Sequence, residues 1–253
     1  MVEFRGFGIL TCCLAAQLSA ALWATPSGVQ ITEDPKGARV GRHEGRAFAL
    51  AYEADMERFA REDAADRRTG GVVFTGSSSI VGWKTLLRDM APLPVVNRGF
   101  GGATSPQLWW YADRAVLTRK PRVVVVYVGD NDLCQASVTV GNYMKYIRLF
   151  RDCVWQADAR TRLVFLSNKP SPSRWEWWPK YQEANRRLER MCSRDPRLSF
   201  VDLSATLLDA SGQPRPELFL EDMLHLRPET YARWVKVVRP VVERAWREAL
   251  AAE

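Results

Sequence analysis

Val72-Val73-Phe74-Thr75-Gly76-Ser77-Ser78-Ser79-Ile80 is the stretch on which the reading of the fold turns. Its first four residues are β-branched or aromatic with no charged partner between them, the pattern of a strand covered on both faces. Gly76 then ends the run, and three consecutive serines lead into a segment of helical spacing. A buried strand, a tight polar turn and a helix make up the repeating unit of a parallel α/β sheet, whose functional groups gather beyond the carboxyl ends of the strands.

Four further short β-branched runs, at residues 95–97, 122–128, 162–167 and 198–203, read as strands of the same kind. Helix-like segments lie at 79–90, 106–118, 138–157, 175–193 and 228–251. This alternation implies right-handed crossovers. The expected architecture is therefore α/β, a flavodoxin-like three-layer sandwich with a five-stranded parallel sheet, forming a single domain over residues 25–253. An amphipathic helix is expected ahead of it over residues 45–67, where Phe48, Leu50, Ala51, Met56, Phe59 and Ala60 recur at helical spacing before Gly70-Gly71.

The 253 residues, 47% of them hydrophobic, suffice for one sizeable core and leave little for a second. Ten Trp and ten Phe argue against disorder, and no repeat is present. The net charge of +7 is spread along the chain, as in Arg186, Arg187, Arg190 and Arg194 on one helix-like segment, and reads as a solvated face. Nucleic-acid binding, which needs a basic groove with stacking aromatics, is not expected.

Residues 1–24 have the layout of a secretory signal peptide, apolar from Gly6 to Ala24, with cleavage after Ala21 or Ala24. The alternative is an uncleaved N-terminal anchor. The expectation is an exported protein, periplasmic or secreted, with no integral span once the leader is removed. Cys134, Cys153 and Cys192 then leave room for one disulfide and one free thiol. With only two histidines and no Cys-x-x-Cys, a metal centre is not expected.

Three more loops follow the expected strands or lie near the C-terminus: Asn97-Arg98-Gly99-Phe100-Gly101-Gly102-Ala103-Thr104, Gly129-Asp130-Asn131-Asp132 and Asp222-Met223-Leu224-His225. A serine hydroxyl is a poor nucleophile until a neighbouring imidazole takes its proton, and His225 is the available base. His43, beside Arg42 and away from any strand end, reads as a surface residue. Asp222, three residues before His225, is placed to accept its Nδ1 proton and fix the tautomer. The glycine-rich loop has neither the P-loop lysine nor the full dinucleotide fingerprint, and Gly-x-Ser-x-Gly is absent. Asp130 and Asp132 read as residues that cap or hold their loop. Residues 170–178 should overhang the strand ends, with Trp175 a candidate substrate-binding wall, whereas Trp109, Trp110 and Tyr111 read as packing.

Taken together over about residues 72–234, these loops resemble, block by block, the SGNH or GDSL hydrolase superfamily. Gly76-Ser77-Ser78 falls on the family's Gly-Asp-Ser, which implies Ser78 as nucleophile, and Trp83 five residues later fits that register. Ser77 stands where the family usually carries Asp, so Ser77 and Ser79 remain alternatives. The resemblance implies an oxyanion hole formed by the backbone N–H groups of Ser78 and Gly102 and the side chain of Asn131, with Asp222 and His225 completing the catalytic set and no cofactor. The implied activity is that of a serine esterase acting on small acyl esters, an O-acetylated carbohydrate or a lysophospholipid-like molecule. An acyltransferase would use the same site, and a non-catalytic glycan-binding envelope protein is the alternative of a different class.

Overall fold

In a computed structural model that describes residues 26, 28–35 and 37–252, the segment ahead of the first expected strand is a sheet of its own. Strands β1 (Val29–Glu33), β2 (Arg39–His43) and β3 (Arg46–Ala49) pair antiparallel in the order β1-β2-β3. Helix α1 (Glu53–Ala65) follows, so the helix expected over 45–67 begins eight residues later. The cause is a two-residue hairpin. His43 pairs with Arg46, and Glu44 (φ +45°) and Gly45 (φ +78°) between them both take the left-handed conformation of a tight hairpin turn. Phe48 is buried because its ring lies across Gly41 of the partner strand, where an added Cβ would stand 2.6 Å from it.

His43 is likewise not a surface residue. It is 7% exposed, its ring centroid lies 4.8 Å from that of Trp109, and its Nδ1 is 3.3 Å from the Tyr146 hydroxyl. Burial, and then the Lys145 ammonium, hold its pKa below the ordinary imidazole value. Residues 1–24, read as a leader, lie outside the described residues.

From residue 72 the chain alternates as expected. Strand β4 (Val72–Gly76) leads to α2 (Ser78–Val81) and α3 (Leu86–Asp89), and β5 (Val95–Gly99) leads to α4 (Ser105–Trp110) and α5 (Ala112–Ala115). After β6 (Val123–Tyr127) come α6 (Asp130–Leu133) and α7 (Val140–Ala157). Next are β7 (Arg162–Leu166), α8 (Trp178–Cys192), β8 (Leu198–Val201) and the C-terminal α9 (Tyr231–Leu250). The five strands are parallel in the order β5-β4-β6-β7-β8. Two of the expected helices are broken into short pieces, and the pair that replaces 79–90 is divided at the buried Trp83.

Burial on both faces follows from the strand period of two. Val72, Phe74, Val123 and Val125 pack under Ile80, Trp234 and Val238, while Val73, Val124 and Val126 face Phe59, Leu108, Ile147 and Phe150. The sheet thus lies between a layer of α2, α3 and α9 and a layer of α1, α4, α5, α7 and α8. Arg98, wholly buried at the end of β5, ties α1 to the sheet through Asp63 and through Glu62 at 3.2 Å. Cys134, Cys153 and Cys192 are all free thiols, so the disulfide for which their number leaves room is not formed.

The chain leaves β4 toward β5 on one side and returns to β6 on the other, which opens a crevice beyond β4. Gly76 closes β4 at φ +129°, and a Cβ there would stand 1.8 Å from the carbonyl oxygen of Tyr127. Gly45, at φ +78°, has no atom within 4 Å of such a Cβ. Gly76→Ala should therefore lower the unfolding free energy by about 3 kcal/mol or more, and Gly45→Ala by about 1 kcal/mol. Urea denaturation followed by circular dichroism checks the difference, and equal losses would contradict it.

Candidate active site

The serine turn is held from both sides of the crevice. The Ser77 N–H donates to the Tyr127 carbonyl at 2.9 Å, and the Phe100 N–H donates to the Gly76 carbonyl at 2.9 Å. Asn97 donates its side-chain amide to the Ile80 carbonyl at 2.7 Å and accepts the Gly99 N–H at 3.0 Å, and the Tyr231 hydroxyl donates to the Ser79 carbonyl at 2.8 Å. Ser77 and Ser79 are 1% and 2% exposed, whereas Ser78 is half-buried, so of the three hydroxyls only that of Ser78 faces the opening. As the first residue of α2, Ser78 carries a backbone N–H without a helical acceptor.

His225 meets Ser78 from the far end of the chain. Its loop is closed by the Leu220 N–H donating to the His225 carbonyl at 2.7 Å, with Met223 in the left-handed region at φ +55°. Asp222 Oδ1 accepts the backbone N–H groups of Leu224 and His225, both at 2.9 Å. Its Oδ2 lies 2.5 Å from His225 Nδ1, and His225 Nε2 lies 2.9 Å from Ser78 Oγ. With Nδ1–H donating to the carboxylate, Nε2 is left as the acceptor for the serine proton. Burial opposes ionisation of Asp222, but the His225 ring and the two amides outweigh it and bring its pKa down to about 2.

The glycine-rich loop and Asn131 form the opposite wall. Gly102 is exposed at φ +80°, in a turn closed by the Ala103 N–H donating to the Phe100 carbonyl at 3.3 Å. Asn131 donates through Nδ2 to the Ala103 carbonyl at 3.1 Å, which places its amide one residue from Gly102 and leaves a second Nδ2 proton. Asp132 is wholly buried and accepts the amide and hydroxyl of Ser105, anchoring the start of α4.

Arg174 is the residue that sequence reasoning missed. Its guanidinium donates to Asn131 Oδ1 at 3.0 Å and to the Asp130 carbonyl at 2.6 Å, so it fixes which end of the Asn131 amide faces outward. The only signal for it was its place in the loop beyond the fourth strand, the loop read for its tryptophans. Trp175 stacks on Trp178, with centroids 5.8 Å apart and planes at 15°, and is half-buried against the core. In the same loop Ser173 donates its N–H and hydroxyl to the Met223 carbonyl at 3.1 and 3.0 Å, linking it to the histidine loop. Beneath Asn131, Asp130 is paired with Lys169, both almost wholly buried, and accepts the Tyr127 hydroxyl at 2.7 Å. Burial, and then the Asp130 carboxylate, push the Tyr127 phenol well above its usual range.

A cavity of about 650 Å³ adjoins this wall. Thr104, Gln107, Gln135, Ser137 and Asn142 supply polar groups to it, and Phe48 of the N-terminal hairpin closes one side. Gln135 also donates to the Asn131 carbonyl at 2.6 Å. Among the described residues no cluster of three His, Cys, Asp or Glu is arranged to hold a metal, and no helix is long and apolar enough to cross a membrane.

The chain is similar to several known proteins. It is 28% identical over 167 residues to the chicken (Gallus gallus) platelet-activating factor acetylhydrolase IB subunit alpha2, covering 64% of this chain and 67% of that protein. Its fold resembles that of a GDSL-like lipase from Bacteroides thetaiotaomicron, with a TM-score of 0.66 and 22% identity over 76% of this chain and 98% of the other. It also resembles an acetylxylan esterase from Geobacillus stearothermophilus, solved as a catalytic mutant, with a TM-score of 0.54 and 15% identity over 71% and 95% of the two chains. At these identities the structural likeness is one of fold. The GDSL-like lipase/acylhydrolase family matches residues 33–233, and the chain therefore belongs to that family of hydrolases.

Proposed function

We propose that the protein is a serine esterase that forms an acyl-enzyme on Ser78. The observation that carries this reading is the 2.9 Å contact between Ser78 Oγ and His225 Nε2, made across 147 positions of sequence, with Asp222 on the other ring nitrogen. Ser78 Oγ attacks the ester carbonyl as His225 takes its proton. Asp222 holds the ring in the required tautomer and stabilises the imidazolium. The carbonyl oxygen becomes an oxyanion that accepts hydrogen bonds from the backbone N–H groups of Ser78 and Gly102 and from Asn131 Nδ2. Collapse breaks the bond to the alkoxy oxygen, which leaves as the alcohol with the proton from His225. Water, deprotonated by the same imidazole, then hydrolyses the acyl-enzyme.

The cavity favours a small acyl group on a hydroxyl-rich alcohol, an O-acetylated carbohydrate, over a long acyl chain. Amide and hydroxyl groups of Thr104, Gln107, Gln135, Ser137 and Asn142 dominate its wall, a surface that suits the hydroxyl groups of a sugar better than the methylenes of an acyl chain. Such a preference appears as kcat/KM falling from p-nitrophenyl acetate to longer acyl esters, with acetylated sugars deacetylated. A rate that rises with chain length would contradict it.

Ser78→Ala should abolish hydrolysis of p-nitrophenyl acetate, at least about 10⁴-fold, with the circular dichroism unchanged. A fluorophosphonate probe should label the parent chain and not the variant. Turnover retained in Ser78→Ala would end the assignment. Asn131→Ala should lower kcat by about 10² to 10³ with little change in KM, the loss expected for one oxyanion donor. If Arg174 acts through Asn131, Arg174→Ala lowers kcat by about tenfold in the parent and has no further effect in the Asn131→Ala background. Additive losses in the double variant would assign Arg174 a separate role.

A further inference from the structure

On the layer of helices away from the C-terminal α9, the fold gathers positive charge that is spread out in the sequence. A cleft of about 500 Å³ between α7 and α8 is lined by Arg148 and Arg151 from one helix and by Arg187, Arg190 and Arg194 from the other side. Asp195 is the one carboxylate in its wall, and it is already bound by Arg197 at 2.7 Å. Arg151 is held by Asp152 at 2.7 Å and Arg187 by Glu183 at 2.6 Å. Arg148, Arg190 and Arg194 are exposed and have no side-chain partner among the described residues.

Like charges three and four residues apart on helices repel each other. The carbonyl end of α8 gives a reason for cations at Arg190 and Arg194. It gives none for Arg148 and Arg151, which sit in the middle of α7 and face the same cleft. Guanidinium groups converging from two elements form the arrangement that recognises phosphate oxygens.

We propose that this cleft is a phosphate-recognition site that seats the protein on an anionic phospholipid bilayer. Two features favour a lipid headgroup over a nucleic acid or a glycan. No aromatic ring lines the cleft, so it offers nothing for a base or a sugar to stack on. Its floor is apolar instead, half-buried Met191 beside the core residues Met144 and Leu198, a flexible surface that suits a glycerol backbone. The site is separate from the Ser78–His225 pair and does not depend on the esterase reading.

Cosedimentation of the full chain with phosphatidylcholine vesicles, with and without phosphatidylglycerol, tests the assignment. Binding is expected only when phosphatidylglycerol is present. The R148Q/R190Q/R194Q variant should lower the partition coefficient by on the order of 100-fold. The control R67Q/K236Q/R244Q removes the same charge from other exposed positions and should change it by less than about threefold. Circular dichroism and the urea midpoint, unchanged in both, show that they fold. Should the triple variant fail to fold, the single exposed change R190Q keeps the test, with a loss of about fivefold expected. Equal losses in the two triple variants would reduce the effect to net charge and overturn the site. Binding of inorganic phosphate without vesicle binding would overturn the membrane assignment.

Discussion

The end of β4 presses against the end of β6 more closely than any residue with a side chain permits. At Gly76 the space that a Cβ would occupy is filled by the carbonyl oxygen of Tyr127. That close approach turns the chain out of the sheet at the crevice, and the next peptide is fixed when the Ser77 N–H reaches the same carbonyl at 2.9 Å. The position of Ser78 is therefore set by backbone sterics and by the strand order, before the side chains of His225 and Asp222 are considered. Asn97 from β5 and Tyr231 from α9 then hold the carbonyls of Ile80 and Ser79, so a helix of four residues is kept in place by its surroundings.

A second constraint lies under the opposite wall. Lys169 and Asp130 bring opposite charges into the core at 1% and 5% side-chain exposure. Such pairs recover little net stability once desolvation is counted, and Asp130 Oδ1 is left without a hydrogen bond. What the pair gives is position. It joins the end of β6 to the end of β7, while the Asp130 carbonyl accepts from Arg174 and, at 2.8 Å, from the Tyr181 hydroxyl. Three elements thereby fix the backbone immediately before Asn131, and Arg174 fixes its amide. An apolar pair could fill the same volume but would not set the direction of that side chain.

The parallel sheet was legible because its central strands β4, β6 and β7 are covered on both faces and so read as almost unbroken apolar runs. The stretch expected at 122–128 is β6 over Val123–Tyr127, and that at 162–167 is β7 over Arg162–Leu166. The N-terminal hairpin was not legible, because its turn is Glu44-Gly45 and glutamate seldom marks a left-handed position. Phe48 and Leu50, buried from a strand and the segment after it, fall by coincidence into helical spacing with Met56 and Phe59. His43 was misread for the same reason, since its burial depends on Trp109 and Tyr146, far along the chain. Asp222 and His225 were visible as a local pair three residues apart. Arg174 and Lys169 were not, because they act on residues 43 and 39 positions away, and a single sequence holds no trace of such contacts.

The two walls of the site differ in how they are built. His225 and Asp222 have side chains 37% and 47% exposed and lie on a loop without regular structure, held by its own backbone hydrogen bonds and by Ser173. Water screens the attraction between two groups so exposed, so geometry counts for more than charge there. The 2.5 Å contact and the two amides on Asp222 orient the ring. Asn131 and the glycine turn instead rest on buried side chains, and next to them the cavity is closed by Phe48 from the hairpin that precedes the parallel sheet. Ser78 and Asn131 thus lie within the repeating α/β units, while part of the cavity wall comes from an N-terminal addition to those units. A change in that hairpin would reshape the cavity and leave the Ser78–His225 contact untouched.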